Sequence, residues 1–208
     1  MQQVVQVVNN FNLGGLSFNL SETVEGNDVF SVVIEVPVAQ GGVLTTRVDN
    51  DDGTLTMTNA GHGILTGDII DLYWTGGVRR RVVVGTVSGT SVPFGAVTPG
   101  SGDNLPVATT AMVACVVVQS SFPATVADIN LIAMKSDVEC QFHFMEANGT
   151  TEDWTKHLTP ATDGAEVSAS WYATYGAIPI TGTTITEVWM SHNDTESAHI
   201  MSAAYLND

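Results

Sequence analysis

Half of the basic charge in this 208-residue chain sits at three consecutive positions, Arg79, Arg80 and Arg81, against 22 Asp and Glu and only 6 Lys and Arg in all. On a strand, alternation places Arg79 and Arg81 on one face and Arg80 on the other. Two roles fit that placement. Charged side chains guard an edge strand against pairing with another chain, and guanidinium forks recognise carboxylates on a neighbouring subunit. A second candidate subunit contact is Glu152, Asp153 and Trp154, in the polar segment 148–162, which reads as a long exposed loop. Neither group implies a reaction.

His62 has the widest chemical range of the remaining residues, as a metal ligand or general base, but a lone histidine framed by Gly61 and Gly63 suits a turn better. Asp49, Asp51 and Asp52 suggest a calcium loop. An EF-hand needs its glycine at the sixth place, whereas Gly53 falls at the fifth, so a solvated hairpin turn fits better. His143, His157, His192 and His199 lack metal-ligand spacing. Cys115 and Cys140 have no CxxC partner and sit in apolar runs, where a thiol packs as a small hydrophobe. No nucleophile elbow, phosphate loop or carboxylate pair occurs. The expectation is no catalytic residue, no metal, no disulfide and no cofactor.

Short strands must position these residues. Leu16, Phe18 and Leu20 alternate with Ser17, Asn19 and Ser21, and after the turn 26–28 the run 29–38 continues with Val32, Ile34 and Val36 on one side and Pro37 at its end. These two segments predict a first hairpin. Further on, Val138, Cys140, Phe142 and Phe144 alternate with Glu139, Gln141 and His143, and Val167, Ala169, Trp171 and Ala173 alternate with polar residues. Segments 184–191 and 199–206 supply two more strands around the turn 192–194. No window has helical periodicity. The fold class is therefore all-β, an antiparallel, jelly-roll-like sandwich.

The stretch 41–118 has a different texture, with short apolar runs among many glycines, and reads as an inserted small β-barrel; residues 1–40 and 119–208 then form one discontinuous sandwich. Within it, 43–48 and 54–58 flank an Asp-Gly turn, and 69–74 and 78–84 flank Gly76-Gly77. Entry and exit should meet on neighbouring strands of the sandwich. The turn motif Gly61, His62, Gly63, Thr66, Gly67, Asp68 supplies glycines for unusual backbone angles and an aspartate to cap a turn, after which Ile69 and Leu72 restart the apolar face.

Residues 59–70 resemble the pattern "GHG, two residues, TGD, apolar pair" of small β-barrel modules in tailed-phage structural proteins, related to the first catalytic-cysteine half-domain (FCCH) of ubiquitin-activating enzymes. Segments 85–93 and 102–106 resemble companion turns of the phage versions. Segments 129–144 and 186–205 are similar to proteins encoded among phage head and tail genes. The resemblance implies a virion structural protein assembled in the host cytoplasm, in contact with capsid or tail subunits. It implies no ubiquitin chemistry, because no adenylation motif occurs, and fold analogy does not carry function.

Only 13% of residues are charged, so the net charge of −16 reflects a shortage of bases. Such a surface repels nucleic acid and anionic membrane, since phosphate binding needs Lys and Arg to displace counterions. No stretch approaches the roughly 20 apolar residues of a membrane helix. The expected function is a capsid decoration, cement or minor capsid protein, a non-enzyme that forms homo-oligomers. A tail-tube or neck subunit is the second possibility. The third is a host-receptor or glycan-binding module with Trp154, Trp171, Tyr172 and Tyr175 as an aromatic platform, although alternation turns Trp171 inward.

Overall fold

The computed structural model is all-β, with no helix among the described residues. It describes the backbone of residues 4–6, 11–13, 16–18, 23–25, 28–97, 104–126, 129–136, 138–146, 152–159, 162–163, 166–167, 170–175 and 185–207. Side chains are described for 32–97, 104–121, 134, 138–146, 152, 155–159, 185–201 and 203. The alternation around Leu16 and Trp171, and the side chains of Asp153, Trp154, Tyr172 and Tyr175, lie outside the described residues.

The first strands are β1 (Val4–Gln6), β2 (Phe11–Leu13), β3 (Leu16–Phe18), β4 (Thr23–Glu25) and β5 (Asp28–Val36). Six follow: β6 (Gln40–Arg47), β7 (Gly53–Met57), β8 (Ile69–Trp74), β9 (Gly77–Val84), β10 (Ser91–Ala96) and β11 (Ala111–Val116). The rest are β12 (Val118–Val126), β13 (Ile129–Ser136), β14 (Cys140–Glu146), β15 (Glu152–Leu158), β16 (Thr162–Asp163), β17 (Glu166–Val167), β18 (Ser170–Tyr175), β19 (Ile185–His192) and β20 (His199–Asn207).

Eight strands form two four-stranded sheets, β12-β19-β14-β15 and β18-β13-β20-β5. In chain order they pair first with last, second with seventh, third with sixth and fourth with fifth. That is one long antiparallel hairpin, tipped by β14 and β15 and rolled so that β20 meets β13 and β19 meets β14. The result is a jelly roll. Val32, Ile34 and Val36 of β5 join Met134 and Met201 against Phe142, Phe144, Val188 and Met190 of the other sheet. Val33, one residue out of phase, is 55% exposed. Full burial of each large apolar side chain is worth about 1.5–3 kcal/mol, so this period-two pattern fixes the register.

Two local expectations are corrected. The predicted first hairpin does not form: β3 pairs with β2, and β5 pairs with β20 from Asp28 opposite Asn207 to Val36 opposite His199. A nine-residue ladder that sets Ile34 opposite Met201 and Val32 opposite Ala203 outweighs a nearby turn. Segment 148–162 is not a loop throughout, because β15 runs through it antiparallel to β14.

Strands β6 to β11 close into a six-stranded barrel in the order β10-β7-β6-β11-β8-β9. Leu44, Leu55, Ile70, Leu72, Val82 and Val92 fill it without exposure. Entry and exit meet on paired barrel strands, Gln40 opposite Ala114, whereas the flanking β5 and β12 lie in opposite sheets of the sandwich. The apolar face also restarts differently: Ile70 and Leu72 point into the barrel, while Ile69 packs outside it with Val117, Met145 and Trp189.

Candidate functional site

Two adjacent barrel strands, β8 and β11, use both of their faces. Ile70, Leu72, Met112 and Ala114 line the barrel, while Tyr73, Val113 and Cys115 join the sandwich core. Facing them, β14 sends Phe142 and Phe144 into the sandwich, so Gln141, His143 and Met145 must turn to the barrel. The same alternation on β19 gives Val188 and Met190 to the core and turns Trp189 and Ser191 toward the barrel, opposite His143 and Gln141. Polar side chains from both modules therefore meet in a seam without water access.

Asp71 is the centre of that seam. One of its oxygens, Oδ2, accepts from His143 Nε2 at 2.7 Å and from the Ser191 hydroxyl, and Oδ1 accepts the Arg81 amide at 2.7 Å. On the other side of the ring His143 Nδ1 donates to Glu152 Oε2 at 2.6 Å, and Arg80 and Arg81 each approach Glu152 at 3.3 Å. Because Ser191 directs its proton at Asp71, the Tyr73 hydroxyl donates to Ser191 Oγ at 2.5 Å. Asp71 and His143 side chains are fully buried.

The charge states follow from this wiring. Both ring nitrogens of His143 face carboxylate oxygens, which only accept, so both must carry protons. Burial works against that cation, but Asp71 and Glu152 outweigh it and push the His143 pKa to about 9. Burial likewise opposes the Asp71 carboxylate, yet His143, Ser191 and the Arg81 amide hold its pKa below the ordinary value. Glu152 is lowered in the same way, with desolvation overcome by His143 and the two arginines. Burial, then the charge of Asp71, raises the Tyr73 pKa well above its usual value, so the phenol stays protonated.

Ser191, His143 and Asp71 have the residue types of a hydrolytic triad but the wrong connections. A triad needs the serine bonded to a histidine nitrogen that is free to take its proton. Here the serine bonds the aspartate, both histidine nitrogens are protonated, and no side chain of the three reaches solvent. The cluster can hold two modules together; it cannot activate its serine.

The arginines predicted as subunit contacts line this seam and the barrel end. Between Ile70 and Leu72 the ladder with β9 slips, so that Ile70 faces Val82 and Leu72 faces Arg79. The bulge puts Arg81 at a φ of 49° and breaks the expected alternation. Arg79, fully buried, pairs with Asp51 at 2.8 Å, whereas Arg80 and Arg81 both turn to Glu152, and Arg81 Nη1 also meets Met145 Sδ at 3.3 Å. Glu152 is thus an interior partner of two arginines within one chain.

The turn motif holds the barrel end. Gly63 and Gly67 have φ of 72° and 91°, but Gly61 does not need such an angle. His62 Nε2 donates to the Gly89 carbonyl at 3.1 Å while Nδ1 accepts the Ile64 amide at 3.0 Å, so both nitrogens serve turns. Asp68 accepts the Leu65 amide and Thr66 the Val87 amide. In the Asp-rich hairpin, Asp49 Oδ1 accepts the amides of Asp51 and Asp52, and Asp52 accepts that of Ala96. Cys115 and Cys140 are buried and form no disulfide, and burial pushes the Cys115 thiol up to about 12. No metal-holding group of His, Cys, Asp or Glu occurs among the described residues.

Asp71, Tyr73, His143 and Ser191 were not singled out from sequence as a site. One signal was available: Asp71 is a lone charge inside the apolar run of β8, which calls for a buried partner. No protein family, curated protein or solved structure matches the chain.

Proposed function

We propose that this chain is a structural building block of a tailed-phage particle, a capsid decoration, cement or minor capsid protein acting through protein contacts. The observation that carries the proposal is the buried junction of Asp71, His143, Glu152, Ser191 and Arg81, which ties barrel to sandwich through paired charges. Replacing such a cluster by apolar residues is often neutral or stabilising, so its use lies more in orientation than in stability. A subunit that must present two surfaces to neighbours at a fixed angle needs that property. Support also comes from the jelly roll, a fold used by viral capsid domains among others; from the shortage of Lys and Arg, which disfavours nucleic-acid binding; and from the resemblance of residues 59–70 to barrels in phage structural proteins.

The test is to purify particles of the phage or prophage that encodes the chain and to map a gold-labelled antibody against the barrel by electron microscopy. Regular label on the capsid is expected. Label on the tail would move the chain to a tube or neck role, and absence of the chain from particles by mass spectrometry would overturn the proposal.

A further inference from the structure

A cleft of about 700 Å³ lies beside the junction, where the turn between β8 and β9 overhangs the sandwich. Its walls include Trp74 and Gly76 from the barrel and Glu139, His157, Thr159 and Asn193 from the sandwich. Gly76, in the turn between β8 and β9, has a φ of 100°. The polar wall is rich in acceptors. Glu139 Oε1 accepts His157 Nε2 at 2.9 Å, and Oε2 accepts Asn193 Nδ2 at 2.6 Å. Each carboxylate oxygen takes two hydrogen bonds, so each keeps one site open, and the Glu139 side chain is 26% exposed. The two donors nearest to it are already directed at it.

No Lys or Arg is among the described lining residues. The chain as a whole carries a net charge of −16, a long-range field that favours a cation over an anion at this cleft. An anchored carboxylate with open acceptor sites, set in the wall of a cleft, is the chemistry that recognises an ammonium or guanidinium group. We infer that this cleft binds a Lys or Arg side chain presented by a basic segment of a partner protein. The inference stands apart from the particle assignment: it concerns what the cleft holds, wherever the chain assembles.

The test is a nitrogen-15 NMR titration of the full chain with acetyl-Gly-Lys-Gly-amide and acetyl-Gly-Arg-Gly-amide, with acetyl-Gly-Glu-Gly-amide and methyl glucoside as controls. The Trp74 indole N–H, identified by its loss in W74F, and the Asn193 side-chain amide should shift saturably with the two basic peptides only. E139Q should weaken binding by about tenfold or more. T159K, at an exposed position, should abolish binding by setting a cation over the cleft while leaving the unfolding midpoint unchanged. Non-saturating shifts, an equal response to the acidic peptide, saturation by the glycoside instead of the basic peptides, or undiminished binding in both variants would overturn the inference.

Discussion

His143 shows how a single side chain acquires its properties from the residues around it. Its folded pKa, about 9, is raised above the ordinary 6.5. Its contribution to stability is therefore fully present below pH 6.5 and is lost as pH rises through about 9. Asp71 and Glu152 work in the opposite sense: their folded pKa values are lowered, so their contribution is present above the ordinary carboxylate range and fades as pH falls below it. Their combined effect is greatest from just above that range up to about pH 6.5. The shift on His143 corresponds to ~3 kcal/mol. In an NMR titration the ring carbon of His143 should change near pH 9; a midpoint near 6.5 would refute the doubly bonded imidazolium. Ser191 donates to a charged acceptor and accepts from the buried Tyr73 hydroxyl, so S191A should cost about 1.5–3 kcal/mol in denaturant unfolding, and an unchanged midpoint would remove Ser191 from the network.

At the scale of the element, the β9 bulge decides more than the identity of its residues. Without it, Arg79 and Arg81 would share a face; with it, Arg79 seals the barrel end against Asp51 and Arg81 crosses to the sandwich. The glycine opening β7 is equally constrained. A Cβ on Gly53 would lie 2.5 Å from the Thr46 carbonyl oxygen and 3.0 Å from Leu44 Cδ1, whereas one on Gly41 would meet nothing nearer than Thr58 Oγ1 at 3.6 Å. Gly53→Ala should therefore destabilise by about 1–3 kcal/mol, and Gly41→Ala by no more than about 0.5 kcal/mol. Equal denaturation midpoints for the two variants would show that the strand gives way more easily than its packing suggests.

Over the whole molecule, the barrel and the sandwich share apolar contacts on both flanks of the ionic seam. Tyr73, Val78 and Cys115 lie on one side, and Ile69 with Val117, Met145 and Trp189 on the other. Two β modules joined this way should unfold as a unit, giving one calorimetric transition. His143→Ala leaves Asp71 and Glu152 without the cation between them, a loss of about 3–5 kcal/mol for a broken buried pair. The single peak should then shift down and split as the modules decouple. Two peaks in the unaltered protein would show that the seam does not couple them.

Alternation in the sequence was enough to establish the all-β class, the inward set Val32, Ile34 and Val36, and the hairpins around Gly53 and Gly76, because period-two burial and turn chemistry are local. The candidate site was not legible in the same way. Gln141 and His143 look solvated beside Phe142 and Phe144 until a second module covers their face, and Arg79 to Arg81 look exposed until a bulge and three acids enclose them. Partners 72 and 120 residues apart leave no mark on local spacing. Only the closure of the barrel, and its seating on the sandwich, determined which polar residues would lose water and so have to find one another.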